Sequence, residues 1–174
     1  MKLKYIITFL TLILINSNLF GQAEKFDIQN GEIKPLVQSV KGMKSDSIYI
    51  KSNEWINYNF KKEDAVIGSS IDNKMIRFTG INPSFAKSFG YTYDLEFTIR
   101  IEFKENRYRL TVENLRSGNN GIFANFNLGD YYKSNGQPRK AYKNFVVGIE
   151  STLDNLNLSI YNYLTGKTEK NDDW

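Results

Sequence analysis

Residues 94–104 read Asp-Leu-Glu-Phe-Thr-Ile-Arg-Ile-Glu-Phe-Lys, apolar at every odd position and polar at every even one. Period two over that length marks a strand with one face on a core and the other in water. The pattern breaks at Glu105-Asn106 and resumes with opposite parity. Tyr108, Leu110 and Val112 are now apolar among Arg107, Arg109, Thr111 and Glu113. Asn tolerates the left-handed conformation of a tight turn. The two runs therefore predict a hairpin with Phe103 facing Tyr108, Ile101 facing Leu110 and Ile99 facing Val112. On the opposite face the same register sets Glu102 against Arg109, a pair worth at most about 1 kcal/mol.

The remainder of the chain supplies partners for this hairpin. Residues 26–29 alternate briefly before Asn30-Gly31, the strongest short hairpin signal, and residues 33–40 resume as a strand that Pro35 places at an edge or bends. Ser45 or Asp46 is positioned to cap a helix reaching about Phe60. Ile48, Ser52, Trp55, Ile56 and Phe60 keep three-and-four spacing, which turns Trp55 toward the sheet. The run Lys61-Lys62-Glu63-Asp64 reads as a solvated exit. Residues 65–71 and 75–81 form a second hairpin around Asp72-Asn73-Lys74, and residues 82–90 read as a loop carrying Pro83, Phe85 and Phe89.

After about Leu115 the composition changes. Residues 116–138 are rich in Asn and Gly and set Phe123, Phe126, Tyr131 and Tyr132 in a long irregular segment, a length uncommon inside a compact domain. From about Arg139 a second helix begins. Phe145, Ile149, Leu153, Leu156, Ile160 and Leu164 make its apolar stripe, Gly166 its stop, and residues 167–174 a polar tail. The expected architecture is one α+β domain over residues 24–166. It has a single antiparallel sheet of about five to six strands with two helices packed on one face.

The N-terminus reads as an export signal outside the fold. Lys2 and Lys4 precede an apolar or hydroxylic run over residues 5–15, then polar residues and small Gly21 and Ala23, which suits cleavage after Ala23. The run is too short to span a membrane, which takes roughly 20 residues. Removing 23 of the 174 residues leaves 151, and losing two lysines lowers the net charge from +4 to +2. Nucleic-acid binding then has no electrostatic support. With no Cys, the chain depends on a packed core, for which 12 Phe, 11 Tyr and 2 Trp suffice. With no His, it lacks the commonest general base, metal ligand and pH switch.

Several residues carry a family resemblance. Phe26, Gly31, Ile33 and Val40 lead into Gly42-Met43-Lys44-Ser45-Asp46-Ser47-Ile48-Tyr49. Trp55 follows, then Glu105-Asn106-Arg107-Tyr108-Arg109 and the closing Asp172-Asp173-Trp174. Over residues 26–115, and more loosely in the last helix, the chain resembles an exported family of Bacteroidota. That family is the domain of unknown function 4468, described as TBP-like. The resemblance implies a βαββββα arrangement and envelope localisation, and it brings no catalytic residue. Residues 116–138 depart from it, being longer and more aromatic. The TBP likeness is one of fold, since the wet face alternates Glu96, Thr98, Arg100 and Glu102 with Arg107, Arg109, Thr111 and Glu113 and so lacks the basic face that DNA requires.

No cluster rises to a catalytic, metal or cofactor signature. Glu96 and Glu102 share a face but lie about 20 Å apart along a strand, too far for paired-carboxylate chemistry. The expectation is a non-catalytic binding or interaction module without a cofactor, its partner an envelope protein or a glycan. Two surfaces are candidates. One is the aromatic set Phe85, Phe89, Phe123, Phe126, Tyr131 and Tyr132, able to stack on sugars or grip a peptide if its loops meet. The other is the wet sheet face with Arg100, Arg107 and Arg109, which either docks a partner or merely pairs with Glu96, Glu102 and Glu113. Asp46-Ser47-Ile48 also resembles a short O-glycosylation acceptor pattern, although a capping role explains it equally.

Overall fold

The computed structural model describes residues 22–60, 65–88 and 90–167. Residues 1–21 of the segment read above as an export signal, the 61–64 charge run, Phe89 and residues 168–174 of the polar tail lie outside them, whereas Ala23 packs against the core. A two-stranded hairpin, β1 (Ile28–Gln29) with β2 (Glu32–Ile33), precedes β3 (Leu36–Ser39) and helix α1 (Ser45–Asn59). Strands β4 (Ala65–Ile71), β5 (Met75–Ser88), β6 (Tyr91–Lys104), β7 (Arg107–Asn119) and β8 (Ile122–Asn125) follow, then two short 3-10 turns and helix α2 (Lys143–Thr165). The six-stranded antiparallel sheet runs β3-β7-β6-β5-β4, with β8 beside β3 on the outer edge of β7.

The central hairpin takes the register its alternation dictates. Phe103 pairs with Tyr108, Ile101 with Leu110, Ile99 with Val112 and Glu102 with Arg109. Asn106 supplies the left-handed turn residue at φ 63°. Its side chain also accepts the Gly42 N–H at 2.7 Å, and its main chain bonds to Val40 and Met43, tying the turn to the entry of α1. A bulge at Glu113 resets the register, so Asn114 opposes Thr98. Both helices cover one face. Trp55 of α1 is 2% exposed, packs edge-on to Phe78, and donates from Nε1 to Ser159 Oγ of α2 at 2.9 Å. The α2 stripe from Phe145 to Leu164 is buried throughout, and Gly166 ends the helix in the left-handed conformation.

Four local expectations are corrected. The strand over residues 33–40 is two strands, because Pro35 has no N–H for a ladder: β2 pairs with β1, and β3 with β7. Neither Ser45 nor Asp46 caps α1. The helix starts after Lys44, and the Ser45 hydroxyl donates to the Asn73 carbonyl in the β4–β5 turn at 2.8 Å. Residues 82–88 are not a loop, since β5 crosses Pro83 through a bulge and pairs again with β6. Residues 116–138 are largely structured. Strand β7 continues to Asn119, and Asn120-Gly121, both at positive φ, turn it into β8. The second helix accordingly starts at Lys143, behind a 3-10 turn at Lys140–Tyr142.

A buried polar network holds the N-terminal segment on this frame. Asn157, 0% exposed, accepts from Tyr108 Oη at 2.7 Å and donates to the Gln38 side chain and the Glu24 carbonyl at 3.1 and 2.8 Å. Gln38 in turn accepts the Glu24 N–H at 2.7 Å. Asp154 accepts the Phe26 N–H at 2.9 Å. Tyr108, Asn157 and Gln38 are tolerated at this depth because their side chains are partnered within the network.

Candidate functional site: a groove between the helices and the β5 bulge

Among the described residues, an open concavity with a distinctive lining lies where α1 ends, α2 passes and β5 bulges. It encloses about 470 Å³, within the range of small-ligand sites. Its β wall follows from Pro83. Because that residue cannot ladder, Pro83, Ser84 and Phe85 bow out opposite the single residue Asp94. Ser84 is held at φ 56°, its N–H donating to Asp94 Oδ1 at 2.8 Å. Among the described residues, the other non-glycine positions at positive φ are Asn30, Asn73, Asn106 and Asn120, all at hairpin turns. Ser84 alone is neither Asn nor in a hairpin turn, and such strained positions concentrate where a backbone shapes a site.

Two glycines set the other walls. A Cβ at Gly148 would overlap the Phe85 carbonyl, so only glycine lets α2 lie against the bulge. A Cβ at Gly80 would meet the rings of Phe97 and Phe60, which occupy that space as the groove floor. Beyond Gly148, α2 presents Ser151, Thr152, Asn155 and Ser159 along the groove at helical spacing. Thr152 accepts from Asn82 Nδ2 and donates to the Gly148 carbonyl, both at 2.7 Å, which joins the bulge to the helix. Asn59 Nδ2 donates to the Trp55 carbonyl at 3.0 Å. The lining contains carboxamides, hydroxyls, aromatic rings and aliphatic groups, and no acidic or basic side chain among the described residues.

The structure brings part of the expected aromatic set together elsewhere. Phe85, Phe126 and Tyr131 converge on Phe145 with centroids 4.7, 5.5 and 5.1 Å away, all close to edge-on. Tyr131 lies between Phe126 and Tyr142, nearly parallel to both. These rings pack on one another at the start of α2, so their faces are largely occupied by the protein itself. Tyr132 is corrected as a surface residue: it is 7% exposed, and its hydroxyl finds no hydrogen-bond partner among the described residues. Phe123 stands apart on β8, where Arg116 reaches both its ring and its carbonyl. Phe89 lies outside the described residues. Only Phe85 also lines the groove.

On the open sheet face, Arg109 grips Glu102 with two hydrogen bonds of 2.7 and 2.8 Å, and this hydrogen bonding holds the Glu102 carboxyl below its usual range. Glu113 bridges Arg77 at 2.5 Å and Arg100 at 3.3 Å, and Glu96 binds Arg116 at 2.9 Å. Arg107 makes no ion pair among the described residues. The face is thus mostly neutralised within itself, by pairs individually worth under about 1 kcal/mol. Ser47 is exposed in the first turn of α1, its N–H donating to Asp46 Oδ1 at 2.7 Å.

Among the described residues no group of three His, Cys, Asp or Glu side chains is arranged to hold a metal, and no helix is long and apolar enough to cross a membrane. The groove residues were missed in the sequence because Asn, Ser and Gly at modest spacing carry no chemical signature. The usable signal was Gly148, Ser151, Asn155 and Ser159 at intervals of three and four beside the apolar stripe of α2.

Known proteins place the fold. The domain of unknown function (DUF4468) with TBP-like fold matches residues 36–117. No curated protein matches the chain. A solved DUF4468 family protein from Bacteroides ovatus is 14% identical, superposes with a TM-score of 0.64, and is covered over 94% of its length by 86% of this chain. A TBP-like protein from Parabacteroides distasonis is 16% identical with a TM-score of 0.63, covered over 96% of its length by 79% of this chain. At such identities the likeness speaks for fold alone, and both solved folds agree with the α+β sheet and helices described above. Residues 36–117, from β3 well into β7, match the model of that family, and the chain has a TBP-like fold.

Proposed function

We propose that this chain is an exported, non-catalytic binding module of the cell envelope, with the groove between α1, α2 and the β5 bulge as its ligand seat. The observation that carries the reading is the groove's lining. It combines half-buried rings with exposed carboxamides and hydroxyls, and none of its described side chains is acidic or basic. Such a surface stacks and hydrogen-bonds, and the carboxylate that reaches its β wall, Asp94, is engaged by the Ser84 main-chain N–H. The export half of the reading rests on the lysine-flanked apolar run at residues 5–15.

The test is a ligand-observed NMR screen of a small-fragment library on the full chain and on Ser151→Trp, which plugs the groove from an exposed helical position. The reading expects hits on the parent that vanish in the plugged variant. Hits that survive the plug, or turnover of any compound in a hydrolase panel, would overturn it.

A further inference from the structure

Resting on that reading of the groove, we propose that its ligand is a neutral saccharide. The argument starts from the polar atoms the fold leaves unspent. Asn82 and Asn59 use their side-chain N–H groups internally, toward Thr152 and the Trp55 carbonyl, and keep their Oδ1 acceptors free. The side chains of Ser84, Ser151 and Asn155 make no hydrogen bond among the described residues, and all three are exposed along the groove. Hydroxyls donate and accept, and Asn155 offers both a carbonyl and an NH₂. The groove therefore presents free acceptors and mixed donor–acceptor groups spread over one concavity. That array matches a ring of hydroxyls, each of which also donates and accepts.

The apolar part fits the same ligand. Phe60 and Phe85 are half-buried rings of the lining, while Trp55 and Phe97 are covered beneath it. A sugar has one face of C–H groups to lay on the edges that these two rings leave open, with its hydroxyls pointing outward to amides. Other ligand classes fit less well. An acyl chain would leave this many polar groups without partners. A phosphate or carboxylate would find no cation in the described lining. An extended peptide needs a regular strand edge, and beyond Gly80, where β4 no longer pairs, β5 is bulged: Pro83 has no N–H and the Ser84 N–H is spent on Asp94.

The preformed shape supports a specific seat. The Gly148 contact and the Asn82–Thr152–Gly148 hydrogen bonds lock the bulge to α2, so the groove exists before any ligand arrives.

The experiment is an immobilised array of neutral and acidic oligosaccharides probed with the full chain, followed by calorimetric titration of the strongest neutral hit. Binding to neutral sugars should weaken about tenfold in Asn155→Ala, the loss of one hydrogen-bonding group, and disappear in Ser151→Trp. Both substitutions are at exposed positions, and far-UV circular dichroism should match the parent. Preference for acidic sugars, or neutral binding untouched by both substitutions, would overturn the proposal. If no sugar binds while fragments still bind in a plug-sensitive way, the saccharide assignment fails and the binding module stands. If neither binds, both fail.

Discussion

Replacing Asn157 tests how the N-terminal segment is held. Asn157→Ala removes the acceptor of Tyr108 Oη and the donor to both Gln38 and Glu24. Water cannot substitute, because Asn157 is 0%, Tyr108 1% and Gln38 2% exposed. Leaving one buried hydroxyl unsatisfied costs about 1–3 kcal/mol, and each further hydrogen bond contributes about 0.5–1.5 kcal/mol. Gln38 keeps the Glu24 N–H as a partner, which limits the loss. The sum is about 2–4 kcal/mol, or about 5–15 °C in melting temperature for a domain of this size. Tyr108→Phe alone should cost about 1–3 kcal/mol, because it strands the Asn157 carbonyl instead. The double variant should then cost less than the two single losses together, since each already forfeits the shared bond. Urea unfolding followed by far-UV circular dichroism gives all three values. Additivity within about 0.5 kcal/mol would mean that Tyr108 and Asn157 do not interact, and would refute the network.

Burial, with a smaller contribution from Tyr161, pushes the Tyr108 hydroxyl well above its ordinary value of 10.0. The folded state therefore keeps a proton that the unfolded chain loses above pH 10. Stability should be intact below that pH and fall by about 1.4 kcal/mol per pH unit above it, with a shallower fall in Tyr108→Phe, read from urea midpoints. Gly148→Ala gains about 1 kcal/mol of helix propensity but drives a Cβ into the Phe85 backbone, a clash of about 1–3 kcal/mol. A net loss of about 1 kcal/mol is expected in thermal melts, and net stabilisation would show that the bulge does not pack on α2. Arg109→Glu replaces a two-bond ion pair by repulsion from Glu102 and should cost about 1 kcal/mol at low salt and visibly less at high salt. Identical midpoints at both salt levels would remove the pair from the account.

The parts of the fold that could be read in the sequence are those where one residue period governs a whole element. Alternation across Glu105-Asn106 specified the β6–β7 register to the residue between Ile99 and Val112, short of the Glu113 bulge, because a slip by one would turn Ile99, Ile101 and Phe103 into water. The stripe from Phe145 to Leu164 and the left-handed Gly166 marked α2 in the same way. The misread segments are those in which a single residue acts against its neighbours. Pro83 suggested a loop, yet the partner strand β6 was long enough to recapture β5 beyond it at Ala86. Asn120-Gly121 was hidden in a run of other turn formers, and so the β7–β8 hairpin passed for irregular chain. The groove was not legible at all. Its walls come from residues 55–60, 80–85 and 148–159, and nothing local in any of the three reveals that glycines 80 and 148 hold them at this spacing. The expected aromatic site failed to stand free for a physical reason: Phe126 and Tyr131 gain more by packing on Phe145 than by facing water.

The most direct test of the groove as ligand seat is a backbone-assigned NMR titration of the full chain with a mixture of neutral oligosaccharides. The account predicts shift changes confined to Asn82, Ser84, Phe85, Ser151, Thr152 and Asn155, and abolished in Ser151→Trp. Changes centred instead on Arg100, Arg107 and Arg109 of the open sheet face would contradict it.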